Sequence, residues 1–288
     1  MINIFINGFG RIGEAIYNLA KDDKEFNIVG INDIEKIDLD GVKTYCTNDP
    51  KELDLSEVDI CIQANGKYLT KKQNQIFLNQ GAKRVVISAP SPDASHFMIG
   101  INEKSYKDEK IFSTSSCSAT AINPVIKLLS DYGIIGCYAS MIHSYTNDQA
   151  LLDRAKPYMD IRRTRSATLN ILPLYSTAPK AVRDFFPNLN IEAKSIRVPL
   201  AYCTFYDLTL YLDSEVKNLQ DIIKDSCKGF IRYTSKPKVS SDFIKDPNFI
   251  TYDLNFCKSY ANVVKISAWQ DNEYGYSNQL LQTIKALF

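Results

Sequence analysis

The segment Asn7-Gly8-Phe9-Gly10-Arg11-Ile12-Gly13 constrains this chain more than any other, because it contains the pattern G-x-G-x-x-G and sits in a telling place. It follows Ile2-Asn-Ile-Phe-Ile6, an Ile- and Phe-rich run with the character of a buried strand. After it come a helix-like stretch, Glu14–Ala20, and a second strand, Asn27–Ile31, that ends at Asp33. Gly8 permits a tight turn, Gly10 lets backbone approach a pyrophosphate, and Gly13 lets helix and strand pack closely. The helix N-terminus then offers N–H groups and a positive dipole end to phosphates. Glycine-rich turns of purely structural origin are common, so the pattern alone is weak. Here it stands between strand and helix with an acidic residue about 20 positions further on, which is the context the fingerprint requires. A dinucleotide site is therefore expected at Gly8, Gly10, Arg11, Ile12, Gly13 and Asp33. The Asp33 carboxylate would accept from the adenosine ribose hydroxyls. It would oppose a 2′-phosphate by about 4 kcal/mol per charge pair at ~4 Å and an effective dielectric of ~20, less after screening. NAD is thus expected rather than NADP.

Two further strand candidates follow, Val58–Ile62 and Arg84–Ser88, separated by helix-compatible sequence such as Leu69–Gln80. Alternating strand and helix predicts a doubly wound parallel sheet. The full length of 288 residues leaves room for a second domain. No stretch is long and apolar enough to span a bilayer, and Met1–Ile6 lacks a basic leader region. A formal charge of +1 gives no global pull toward nucleic acid or anionic membrane. Seven cysteines, an odd number with no Cys-x-x-Cys pair, fit neither a disulfide framework nor a structural metal site. A cytoplasmic protein without bound metal is expected.

Among those cysteines Cys117 stands apart. It lies in Ser113-Thr-Ser-Ser-Cys117-Ser-Ala-Thr-Ala-Ile-Asn-Pro124, a run of small polar residues leading into the apolar helical pattern Val125–Leu129. A cysteine at a helix N-terminus has its thiolate stabilised by the dipole and by N–H groups, which makes it a nucleophile. Taken alone, Ser-Ser-Cys-Ser serves equally well as a plain capping segment. Cys61, Cys137 and Cys203 lie in apolar, strand-like surroundings, where cysteine acts as a small buried hydrophobe. The chain has only two histidines. His96 lies in a Pro/Ser/Asp loop and reads as solvated. His143 ends the apolar run Ala139–His143 and opens a polar one, Ser144–Gln149, where a strand-end side chain faces a cleft. A core histidine is the ordinary alternative there, but a cysteine nucleophile needs a base nearby, and His143 is the better placed of the two.

Six segments together resemble the phosphorylating glyceraldehyde-3-phosphate dehydrogenase family, in that family's order along the chain. They are Asn7–Gly13, Ser115-Ser-Cys117, His143-Ser-Tyr-Thr-Asn-Asp-Gln149, Arg162-Arg-Thr-Arg165, Ile196-Arg-Val-Pro199 and Asp271-Asn-Glu-Tyr-Gly-Tyr-Ser-Asn278. The resemblance implies that Cys117 is the nucleophile and His143 its base and a donor to the developing oxyanion. It implies that Thr146 and Arg197, with Asp148 in the same motif, serve the substrate phosphate. Ser116, Ser118, Arg163, Ser176 and Thr177 match the region that receives inorganic phosphate. Asn272 matches the residue that orients the nicotinamide carboxamide, Tyr276 packs near that ring, and Asn65-Gly66 belongs to the cofactor site. The segment 147–170 resembles the family's S-shaped loop, which lines a neighbouring subunit's cofactor site in a homotetramer.

The chain also departs from the family pattern. Cys117-Ser-Ala-Thr-Ala121 replaces Cys-Thr-Thr-Asn-Cys, Ser176-Thr177 replaces a Thr-Gly pair, and Gln270 replaces a tyrosine. The stretch from Asp33 to Asp54 is short, which removes strands and adenine-side contacts. The expected architecture is a Rossmann-type domain over 1–116, completed by a C-terminal helix over 277–288. An α+β catalytic domain over 117–276 should carry a mostly antiparallel sheet, with strands at Ser195–Val198, Phe205–Leu212 and Asn262–Trp269. The expected reaction is reversible oxidation of glyceraldehyde 3-phosphate to 1,3-bisphosphoglycerate with NAD and inorganic phosphate, through a cysteine thioester. The alternatives are erythrose-4-phosphate dehydrogenase, which hydrolyses its thioester, and a catalytically inactive cofactor-binding paralogue.

One test follows from Asp33. Replacing it with Asn should narrow the gap between NAD and NADP, read as the ratio of their kcat/KM values. A wild-type protein that uses both cofactors equally would refute the assignment.

Overall fold

The computed structural model describes residues 1–146, 149–154 and 160–288. Asp148 and part of the 147–170 segment lie outside the described residues. The chain forms two compact units, Met1–Cys117 with Tyr276–Phe288, and Ser118–Gly275.

The first unit alternates strand and helix. Its elements are β1 (Ile2–Asn7), α1 (Arg11–Ala20), β2 (Phe26–Asp33), β3 (Thr44–Cys46), β4 (Ile60–Gln63), α2 (Lys71–Asn79), β5 (Arg84–Ile87), β6 (Ser95–His96) and β7 (Ile111–Ser113). All seven strands run parallel in the order β3-β2-β1-β4-β5-β7-β6, a doubly wound Rossmann-type sheet. The central strands are buried on both faces, so they read as continuous apolar runs and not as alternation. Helix α1 buries Gly13, Ala15, Ile16 and Ala20 on one face. Helix α2 starts at a capping box, in which Thr70 Oγ1 accepts from the Gln73 N–H and Gln73 Oε1 accepts from the Thr70 N–H. The short stretch after Asp33 still adds β3 beside β2, with Asp33 opposite Cys46, and Ile37, Leu39 and Val42 pack on the core. His96 is a correction to the sequence reading. It lies half-buried in β6, and its Nε2 accepts from the Ser91 N–H at 3.1 Å.

A row of buried amides crosses this sheet at the carboxyl ends of its strands. Asn7 Nδ2 donates to Gln63 Oε1 at 2.7 Å, and Asn32 Nδ2 donates to Asn7 Oδ1 at 2.8 Å. Asn32 also donates to the Thr47 carbonyl and accepts from the Thr47 N–H. Four segments are thereby tied together directly beneath the glycine turn.

The chain passes into the second unit through α3 (Cys117–Leu129), and its last helix, α6 (Tyr274–Leu287), supplies the end of the first. Helix α6 buries Tyr276, Leu280, Leu281 and Ile284 in the first unit's core, and Lys285 pairs with Asp23 and Glu25. The second unit contains β8 (Ile134–His143), β9 (Leu172–Tyr175), α4 (Ala178–Arg183), β10 (Ile191–Arg197), β11 (Thr204–Leu212) and α5 (Leu219–Ser226). It continues with β12 (Ile231–Thr234), β13 (Ile250–Asp253), β14 (Lys258–Tyr260) and β15 (Val263–Gln270). These make a mostly antiparallel sheet in the order β12-β13-β15-β11-β8-β10-β9, with β14 on β15. Strand β11 shows why it forms: Tyr206, Leu208, Leu210 and Leu212 are buried at every second position. They meet Ala121, Ile122, Val125, Ile126 and Leu129 of α3 in one core.

Asn7→Ala should lower stability by about 2–4 kcal/mol, because each buried polar group left unpaired costs roughly 1–3 kcal/mol. The urea midpoint reads this. A loss well under 1 kcal/mol would show that the amide row does not hold the sheet edge.

Candidate active site

At the carboxyl edge of the first sheet, Gly8 has φ +107°, and a Cβ there would come within 2.5 Å of the Asn65 backbone nitrogen. A Cβ on Gly13 would collide with the Gly8 carbonyl. Gly10 differs, because a Cβ there would meet nothing within 4 Å. It is the N-cap of α1 and brings no side-chain cap, so open space stands over the start of a helix whose first residues are Arg11 and Ile12. Asp33 ends β2 and accepts from the backbone N–H groups of Phe9, Ile34 and Glu35. A carboxylate offers about four lone-pair positions, so one remains for a ribose hydroxyl. Asn65 and Gly66 form the turn after β4, where Asn65 Oδ1 accepts from the Lys67 N–H. These features fit a dinucleotide: space at the phosphates, a helix start and an acceptor at the ribose.

Cys117 is half-buried and is the first residue of α3. Ser116 precedes it and Ser118 follows, both half-buried. The other cysteines are chemically distinct. Burial pushes the thiols of Cys137 and Cys203 up to about 12 and that of Cys257 up to about 11. Burial raises Cys61 and Cys227 as well. Near neutral pH these five stay protonated. Cys46 is exposed on the edge strand β3, with its Sγ 3.4 Å from the Ile34 carbonyl oxygen.

In the second unit His143 ends β8 and is buried. Its Nδ1 lies 2.7 Å from the Ser144 carbonyl oxygen and 2.8 Å from Arg197 Nη1. One nitrogen cannot donate to the first and accept from the second. Arg197 Nη1 also donates to the same Ser144 carbonyl at 2.9 Å, so Nδ1–H and Nη1–H can both be directed at that oxygen. That tautomer puts the imidazole lone pair on Nε2, the form a general base needs. Parallel pairing of β10 with β8 sets Arg197 opposite His143. Asn272 joins them through its Oδ1, which accepts from Ser144 Oγ at 3.2 Å, while its Nδ2 donates to Glu273 Oε1. The Thr146 N–H donates to Gln149 Oε1.

Other expected residues stand elsewhere in that unit. Arg163 lies in the short helix Ile161–Thr164. Ser176 Oγ accepts from the Ala178 N–H at the start of α4, and Thr177 is that helix's N-cap. Sequence reasoning missed Ser144, whose carbonyl and hydroxyl orient His143 and Asn272, and Gln149, which braces Thr146. Both fall inside the quoted His143–Gln149 motif, but only coordinates reveal the contacts of a backbone carbonyl. Gln270, where the family has tyrosine, accepts from the Tyr206 hydroxyl at 2.8 Å and donates to the Phe249 carbonyl, so the exchange keeps this core fully hydrogen-bonded.

Residues 116–272 match the family described as glyceraldehyde 3-phosphate dehydrogenase, C-terminal domain. Whole-chain relatives agree. The chain is similar to glyceraldehyde-3-phosphate dehydrogenases of Colletotrichum lindemuthianum (34% identity, 98% of the chain and 96% of the relative) and Helicobacter pylori (34%, 100% and 99%). It is also similar to that of Mycolicibacterium smegmatis (31%, 98% and 97%). These alignments extend over 325, 337 and 333 positions against the 288 residues of the chain, so the relatives carry segments that it lacks.

Iodoacetate at limiting concentration and pH 7–8 should label Cys117 in step with loss of activity, and Cys46→Ser should leave the inactivation rate unchanged. Full inactivation with Cys117 unlabelled, by peptide mapping, would contradict this.

Proposed function

The chain belongs to the glyceraldehyde-3-phosphate dehydrogenase family, and on that premise we propose that it oxidises glyceraldehyde 3-phosphate to 1,3-bisphosphoglycerate, reversibly, with NAD and inorganic phosphate. The observation that carries this reading is the position of Cys117 as first residue of α3, in a chain that also holds His143 by its Nδ1 at a strand end.

The Cys117 thiolate, favoured by the helix start, adds to the aldehyde carbon and gives a hemithioacetal. His143 takes the Cys117 thiol proton at Nε2, gives it to the oxyanion as the hemithioacetal forms, and takes it back from the hydroxyl as the hemithioacetal becomes a thioester. Bound NAD supplies the hydride acceptor, held by Gly8, Gly10, Arg11, Ile12, Gly13, Asp33, Asn65 and Gly66, with Asn272 and Tyr276 toward the nicotinamide. Inorganic phosphate attacks the thioester carbonyl, the C–S bond breaks, and the Cys117 thiolate returns. Arg197 and Thr146 bind the substrate phosphate, with Asp148 near them in sequence. Ser116, Ser118, Arg163, Ser176 and Thr177 receive the attacking phosphate. Splitting oxidation from acyl transfer keeps the energy of the thioester in the acyl phosphate. Supporting this assignment, Arg197 and His143 share the Ser144 carbonyl, so an anion held by the guanidinium would lie beside the base. We further propose that the chain works as a homotetramer in the cytoplasm.

NADH formation by the purified protein tests the reading. It should require glyceraldehyde 3-phosphate together with phosphate or arsenate, and His143→Asn should lower turnover by on the order of 10²–10⁴. Equal rates without phosphate or arsenate would replace phosphorolysis by hydrolysis. No NADH with any phosphorylated aldehyde would favour the inactive paralogue.

A further inference from the structure

Ser115, two residues before Cys117, has φ +65°, a left-handed conformation that a side chain disfavours. Such a residue persists only where its surroundings overdetermine it. Its neighbours in the first unit do so from both sides. The Ser115 N–H donates to Ser113 Oγ at 2.8 Å, and that hydroxyl donates in turn to the Ala89 carbonyl at 2.6 Å. On the other side, the Tyr276 hydroxyl donates to the Ser115 carbonyl at 3.3 Å and lies 3.0 Å from Thr114 Oγ1. A phenol has one proton, so the consistent chain runs from Thr114 Oγ1–H to Tyr276 Oη and from Tyr276 Oη–H to the Ser115 carbonyl. Ser113, Thr114, Ser115 and Tyr276 are all buried. Ser115's own hydroxyl is buried with no hydrogen-bond partner among the described residues, so the side chain gains nothing there to offset its conformation.

We propose that Tyr276 is a positioning residue for Cys117: with Thr114 and Ser113 it holds the left-handed turn at Ser115 and so fixes where the thiol stands at the start of α3. This role is separate from packing near the nicotinamide, because it uses the phenol oxygen. The phenol suits the task. Burial, foremost, and the nearby Cys117 both raise its pKa, so it keeps its proton and remains a donor. If the turn relaxes, the peptide leading into α3 rotates and Cys117 leaves the place where the helix's first N–H groups stabilise a thiolate.

The inference rests on Cys117 being the nucleophile, and its test reads the thiol directly, without aldehyde. In the full chain, the pH profile of iodoacetate alkylation at Cys117 is compared for wild type, Tyr276→Phe and Thr114→Val. Both variants should raise the apparent pKa of alkylation by about one unit, hence slow labelling near neutral pH about tenfold. For Thr114→Val the dissociation constant for NAD should stay within about twofold of wild type. Thr114→Val preserves shape, so it carries the test even where Tyr276→Phe does not fold. Glycine adopts φ +65° without penalty, so adding Ser115→Gly to Tyr276→Phe should restore most of the lost rate. Folded variants with a wild-type alkylation profile would overturn the inference, and so would a loss confined to NAD affinity or one untouched by Ser115→Gly. A wild-type Cys117 that iodoacetate does not label would overturn the enzyme reading itself, and this inference with it.

Discussion

The Gly8 carbonyl and the α-carbon of Gly13 meet with no space for a methyl group between them, and the first unit is organised around that contact. It brings the start of α1 against the end of β1, which is how a helix N-terminus comes to stand at the carboxyl edge of a parallel sheet. The Phe9 N–H then reaches Asp33, so the turn itself ties β1 to β2. Beneath it, Gln63, Asn7, Asn32 and Thr47 pass hydrogen bonds across four segments. Buried amides are costly when unpaired, and here each answers the next, so this edge is fixed by the chain's own groups.

The second unit solves a related problem differently. A histidine that acts as a base must present one nitrogen and fix the other. In the role proposed for His143 the fixing group is a backbone carbonyl, that of Ser144, one residue beyond the strand that delivers it. The in-register parallel pair β8 and β10 brings Arg197 to the same oxygen. Backbone pairing thus sets the spacing of an imidazole and a guanidinium more firmly than two long side chains could by themselves. Asp33 in the first unit and His143 and Arg197 in the second stand at strand ends, where side chains leave the sheet while their backbones remain held by it.

Much of this was legible in the sequence, for identifiable reasons. The parallel strands showed as apolar runs because both faces are buried, and β11 showed as alternation because one face is. Cys117 was marked by the change from small polar residues to an apolar helical period. His96 was misread as solvated, because a Pro/Ser/Asp stretch looks like open loop although its imidazole accepts from the Ser91 backbone. The contacts of the Ser144 carbonyl and the left-handed turn at Ser115 could not be read at all, since backbone oxygens and φ angles carry no letter. Gln270 was visible as a departure from the family, but its fit against Tyr206 and Phe249 came only from the structure.

The stretch from Ile34 to Leu53 carries the sharpest question, since it is where the chain is short against its family's pattern. Strand β3 still closes the edge of β2, and Ile37, Leu39 and Val42 still cover the core. On the proposed reading, what the shortening removes is packing around the adenine. Some ~50–100 Å² of apolar contact amounts to roughly 1–2.5 kcal/mol at ~25 cal/mol/Å². That is about a five- to seventyfold loss of affinity, while the groups proposed to address phosphates and ribose remain. Calorimetric titration of the folded protein with NAD measures this directly. The account predicts weak but saturable binding. A well-folded protein with no detectable heat at millimolar NAD would contradict it.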